Sequence, residues 1–193
     1  MTASEIDVFY PEDQAAWRAW LQKHHHAKNA VWVVFHKKHS GKPTLSWSDA
    51  VDVALCFGWI DSKKISLANG SAHQFFSKRK PNGTWSKINK DKVARLTAEG
   101  LMAEAGLRAI AAAKENGSWV LLDTVEELTV PDDLAEELKT KSGAEDFFMS
   151  LSKSSKKMLL QWVALAKRPE TRQKRITEIA ALAAQGLKPT QFR

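Results

Sequence analysis

The chain has 193 residues, 44% of them hydrophobic and 26% charged, with a formal net charge of +7. That is enough apolar material for a buried core and excludes a disordered chain. No stretch approaches the roughly 20 apolar residues a membrane-spanning helix needs, and a lone cysteine, Cys56, excludes an intrachain disulfide.

Met1 to Pro11 lacks the basic start and apolar run of a signal peptide, so a cytoplasmic location is expected. Pro11, Glu12 and Asp13 make a helix start, and Trp17, Trp20 and Leu21 fall on one face, which predicts a helix to about His26. Ala30 to His36 is continuous, β-branched and aromatic, the pattern of a strand covered on both faces. Ser46 with Asp49 resembles a capping box, and Ala50, Val51, Ala54 and Leu55 form the inner face of a helix stopped by Gly58. Residues 59–67 and 72–77 read as two strands folded back on each other at Asn69-Gly70. A basic loop, Lys78 to Thr84, follows.

From Ser86 or Asn89, both good N-caps, the chain reads as helical almost to its end. Val93 and Leu96 precede a stop at Gly100, and Leu107, Ile110 and Ala111 precede Asn116-Gly117. Residues 118–130 carry no clear pattern. Pro131 opens a short acidic helix with Leu134 and Leu138 inward, and Ser142 with Glu145 reads as a second capping box. Met158, Leu159, Trp162, Val163 and Ala166 share one helix, Pro169 breaks it, and Ile176, Ile179, Ala180 and Ala183 continue to Gly186. The expected fold is α+β: a small antiparallel sheet, one strand plus a β-hairpin, packed on helices, with a helical C-terminal half. Residues 1–120 and 121–193 are the expected domains.

Charge is unevenly spread. Residues 63–95 hold nine Lys/Arg against one acid, residues 121–150 two against nine, and residues 151–193 ten against two. Two basic blocks therefore flank an acidic segment, which counts against a continuous nucleic-acid track and offers partners to the second block.

Few catalytic signatures are legible. His24-His25-His26 point about 100° apart on a helix and cannot share one metal ion. Asp61-Ser62 with His73 makes a poor triad, because adjacent Asp and Ser cannot both address one imidazole. There is no phosphate-cradling glycine loop and no Gly-x-Ser-x-Gly elbow, so neither a cofactor nor a metal is expected.

The hairpin is the stronger candidate. It gathers Trp59, Asp61, Ser62, Arg79, Trp85, Ser86 and Asn89, with Arg79 the expected partner of Asp61. Lys78-Arg79-Lys80 beside Phe75, Phe76 and Trp85 also has the composition of a nucleotide or single-strand platform. A second candidate is the turn after Pro169, where Lys167, Arg168, Thr171 and Arg172 could seat an anion. Arg168, Arg172 and Arg175 make one stripe if the helix survives Pro169; pairing with the acidic segment is the competing reading.

Phe57-Gly58-Trp59-Ile60-Asp61-Ser62, Trp85-Ser86-Lys87-Ile88-Asn89, Gly100 to Leu107, Gly117-Ser118-Trp119 and the Trp162 to Arg175 segment together resemble the YdeI/OmpD-associated, or bacteriocin-protection, family. The resemblance runs over nearly the whole chain. The family's Thr-Pro-Arg after the hairpin is here Ser77-Lys78-Arg79, and its Ser-x-Trp-Ser box is Gly83-Thr84-Trp85-Ser86. It implies protection against bacteriocins or association with an outer-membrane porin. The favoured function is a protection protein binding a small anionic ligand or nucleotide; the alternatives are an enzyme with Asp61 as acid or base and non-specific nucleic-acid binding. Oligomeric state is left open.

Overall fold

The computed structural model describes residues 6–68 and 70–192, and of Lys38 the backbone alone. The chain divides into two compact units, Met1–Trp119 and Val120–Arg193.

The first unit is a sheet with helices on one face. Its strands are β1 (Val8–Phe9), β2 (Ala30–Phe35), β3 (Trp59–Ser66) and β4 (Ala72–Lys78), in spatial order β1-β2-β4-β3. The hairpin β3–β4 and the pair β2–β4 are antiparallel, as the sequence predicts. The hairpin loop is closed by Leu67 N–H donating to Ser71 O (2.9 Å) and by Gly70 at φ +79°; Asn69 lies outside the described residues. β1 is an addition to the expected sheet and runs parallel to β2, pairing Val8 with Trp32 and Phe9 with Val33. Two residues are too few for any alternation to show in sequence.

The helices are α1 (Gln14–His24), α2 (Trp47–Cys56), α3 (Lys87–Ala98) and α4 (Glu104–Glu115). All four send side chains into one core, where Trp17, Leu21, Leu55, Leu96 and Ile110 meet Val31, Val33, Trp59 and Phe76 from the sheet. α2 is capped as predicted, Asp49 N–H donating to Ser46 Oγ at 3.1 Å. β2 departs from the expected two-sided burial. Val31 and Val33 are fully buried, whereas Trp32 and Val34, on the far face, remain partly open. An unbroken apolar run looks the same whether a second layer covers it or its aromatic side chains only shelter one another.

The second unit is helical: α5 (Asp123–Glu126), α6 (Asp132–Lys139), α7 (Ala144–Ser150), α8 (Lys153–Ala164) and α9 (Pro169–Ala183). Leu134, Leu138, Phe148, Leu159, Leu160, Ile176 and Ile179 are central to its own core. The predicted capping box at Ser142 and Glu145 does not form. Gly143 is the N-cap of α7, at φ +74°, so Ser142 sits one residue too early. Residues 118–130 were illegible for a related reason. The turn after α5 places Leu128 at φ +58°, a left-handed conformation that glycine normally marks. A non-glycine residue there costs about 1–2 kcal/mol, and without Gly or Asn the stop leaves no signal.

Candidate functional site

Arg79 leaves the end of β4, its N–H donating to Gly58 O at 2.9 Å, and its side chain turns back over the loop it begins. The guanidinium lies over the Trp85 ring, its Cζ 3.6 Å from the centroid, and Nη1 donates to Thr84 O at 3.1 Å. Its Nε is buried and has no acceptor. Burial lowers the Arg79 pKa to about 10, and the Asp61 carboxylate acts through space in the opposite direction. The group therefore stays charged at neutral pH in a place that disfavours charge.

The neighbouring rings carry further side chains. Trp85 packs on Trp119 with centroids 4.9 Å apart, and Lys90 and Lys114 each hold an ammonium 5.4 Å from the Trp119 ring. The loop is tied down from the end of α4, where Asn116 Nδ2 (2.9 Å) and Ser118 Oγ (3.3 Å) both donate to Pro81 O. Ser86 and Asn89 serve the helix beside it: Ser86 caps α3 by accepting from Asn89 N–H at 3.4 Å.

Asp61 does not form the expected ion pair with Arg79. Its Oδ2 instead accepts from Trp47 Nε1 at 2.9 Å and from Gln74 Nε2 at 3.0 Å. Sequence reasoning missed both partners. Trp47 sits in the first turn of α2, and Gln74 faces inward from β4, where a buried amide requires an acceptor. Ser62 lies in the bulge between Asp61 and Lys64, and its carbonyl takes the second Gln74 contact at 3.3 Å. Trp59 and Trp85 are both core residues, 0% and 2% exposed, and do not form an open wall. Trp59 packs edge-on against Trp20, and its Nε1 is, with Arg79 Nε, a buried donor lacking an acceptor. His73 lies on the opposite face from Asp61, so no triad is assembled. Among the described residues no group of His, Cys, Asp and Glu could hold a metal ion.

The second candidate belongs to the other unit. Pro169 opens α9 and Arg168 is its N-cap, in extended backbone, so the stripe that would have joined Arg168 to Arg172 is broken. Lys167 and Arg168 are exposed and Thr171 is half-buried in the first turn. Arg172 is engaged. Its Nε and Nη2 donate to the two oxygens of Asp133 at 2.6 and 2.8 Å, and Nη1 reaches Val163 O at 3.5 Å. Arg175 stacks on Trp162, 5.1 Å from the ring centroid. The acidic segment thus supplies the partner, as the competing reading holds.

That pairing has a measurable signature. The hydrogen bonds from Arg172 hold the Asp133 carboxyl below its usual range, so the pair stabilises the fold above the unfolded carboxyl pKa. Its contribution fades as pH falls below about 4. Arg172→Met is expected to lower stability at pH 7 by about 1 kcal/mol, the value for a partly exposed but bidentate pair. The gap from wild type should close in acid melts. A gap that stays constant to pH 2 would mean that the pair contributes nothing through charge.

Cys56 is buried at the end of α2, which raises its pKa, and it belongs to the core.

Two family profiles match. Residues 9–109, just over half the chain, match the family described as Domain of unknown function (DUF8412). Residues 127–186 match the family described as Bacteriocin-protection, YdeI or OmpD-Associated, and the match takes in the C-terminal part of the resemblance above. No curated protein and no solved structure matches the chain. Among the described residues, no helix is long and apolar enough to cross a membrane.

Proposed function

The chain belongs to the DUF8412 family through its first unit, and we propose that this unit binds a small anionic ligand, a carboxylate or phosphate, at Arg79. One observation carries the reading: a buried guanidinium, stacked on Trp85, with Nε aimed at no acceptor and no carboxylate in contact. Burial makes this charge costly despite the through-space help of Asp61, and an anion accepting from the guanidinium edge would reduce that cost and add charge-assisted hydrogen bonds. Lys114 would add long-range attraction. Asp61 is held by Trp47 and Gln74 and acts on Arg79 through space, without pairing with it.

The family of the C-terminal domain is named for protection against bacteriocins and association with OmpD. The combined reading is a cytoplasmic stress or antimicrobial-protection protein whose first unit senses or sequesters an anionic small molecule. The Lys167, Arg168, Thr171 turn is a weaker second seat, because the fork of Arg172 is already occupied by Asp133.

A thermal-shift panel of phosphate, small carboxylates, sugar phosphates and nucleotides on the full chain is the direct test. At least one anion should raise the melting temperature. Arg79→Met should weaken its binding about 10- to 150-fold, the range for hydrogen bonds to a charged group. The same change should leave the ligand-free melting temperature undiminished, since the desolvation it removes outweighs the through-space attraction of Asp61 that it also loses. If no anion shifts the wild type, or Arg79→Met responds equally, the site does not bind anions.

A further inference from the structure

We propose that the open face of the first unit's sheet binds single-stranded nucleic acid, stacking bases on Trp32 and Phe75. All four helices of this unit pack on the other face, through Val31, Val33, Trp59 and Phe76. Pleating sends the alternate residues outward: Val8 from β1, Trp32 and Val34 from β2, His73 and Phe75 from β4, Ile65 from β3. Val8 and Ile65 are 59% and 45% exposed. Trp32 and Phe75 are direct cross-strand partners on the two central strands, with ring centroids 5.0 Å apart. Lys63, thrown outward by the β3 bulge, holds Nζ 5.2 Å from both centroids.

Charge selects the occupant. The four strands read VF, AVWVVF, WIDSKKIS and AHQFFSK, and their one acid, Asp61, is bound to Trp47 and Gln74. Among the described residues of the strands the outward face is therefore aromatic and basic, and Asp61, level with Phe76, lies on the inward face. An apolar partner, or a second copy of the chain, would bury the Lys63 ammonium without an anion to pair it, which costs free energy. A duplex keeps its base faces stacked inside. A single strand presents both the groups this face lacks, flat π-surfaces for the rings and phosphates for the lysine. On binding, Lys63 (an exposed, flexible side chain) swings from the rings to a phosphate, and a base takes the place it leaves.

The test is fluorescence anisotropy of the full chain with labelled oligothymidine and oligouridine of about 12 nucleotides, against a duplex of the same length, at low salt. The single strands should bind at least tenfold more tightly than the duplex. Trp32→Ala should weaken that binding by about tenfold or more, and Phe75→Leu, which keeps an apolar residue in the sheet, should do the same. Lys63→Gln should flatten the salt dependence by about one released ion. Arg79→Met should leave oligonucleotide affinity unchanged, which separates this surface from the anion site. Absence of binding at low salt would overturn the proposal, and so would equal affinity for duplex with Phe75→Leu unaffected. Sedimentation showing a dimer that Trp32→Ala dissolves would also overturn it, assigning the face to a second copy.

Discussion

Replacing Gly106 by alanine is expected to destabilise the chain by about 3 kcal/mol, at the upper end of the usual cost of overpacking. Helix propensity alone predicts the opposite, since Ala is favoured over Gly in a helix interior by about 1 kcal/mol. Contact decides the sign. A Cβ at Gly106 would lie 2.3 Å from Cys56 O and 2.9 Å from Leu55 O, both backbone atoms that cannot rotate away. The neighbours are themselves fixed: Ala103 N–H donates to Cys56 O at 3.0 Å, so the start of α4 closes the end of α2. Gly58 serves the same approach, at φ +71° and with a Cβ position 3.0 Å from both Ala105 O and Ala109 Cβ. Because Asn116 and Ser118 tie Pro81 to the end of α4, displacing this helix should also weaken anion binding at Arg79. Urea unfolding of Gly106→Ala measures the first effect. A midpoint equal to that of wild type would show that the two helices can part at no cost.

Asp52→Ala should cost a similar amount, about 3 kcal/mol, the lower end of the range for breaking a buried pair. Asp52 is 7% exposed on α2, and its two oxygens accept from Lys92 and Arg95, nearly one turn apart on α3. Arg95 can fall back on Glu99 at 2.9 Å, and its own side chain is 47% exposed. Lys92 cannot fall back so well. It is 15% exposed and would keep only Ser48, through Oγ at 2.8 Å and the carbonyl at 3.3 Å. The loss therefore comes from a stranded ammonium more than from the missing attraction. Asp52→Leu combined with Lys92→Met should recover most of the stability, because both charges then leave together. If Asp52→Ala costs less than about 1 kcal/mol, Lys92 is finding water in its place.

The fold was legible wherever a period or a cap marks it. Trp17 and Leu21 announce α1, Ser46 caps α2 and Ser86 caps α3, and Pro169 opens α9, each as the sequence predicts. What escaped was structure made without such marks: the two-residue strand Val8–Phe9, the turn at Leu128, and the Gly143 cap that displaced Ser142. The site was legible in part. The hairpin does bring Asp61 within electrostatic reach of Arg79, yet the pairing of those two was wrong. Complementary charge in one neighbourhood suggests a partner, but Trp47 and Gln74 carry no charge and lie on other segments, so nothing in the sequence pointed to them. Trp119 and Lys114 were missed because they come from the far end of α4, beyond the hairpin and the loop that follows it.

The spatial order β1-β2-β4-β3 also dictates when each surface can exist during folding. Strands β3 and β4 meet across the short span Leu67–Ser71, whereas β2 must find β4 across the whole of α2 and the hairpin, pairing Ala30 with Ser77. Closing that longer loop costs roughly 2 kcal/mol more than closing the hairpin, so the local pair should assemble first and β2 should dock late. Trp32 arrives with β2. Until it does, Phe75 stands alone and the two-ring platform is absent, so the nascent hairpin should be unable to hold a base well before the rest of the sheet is complete.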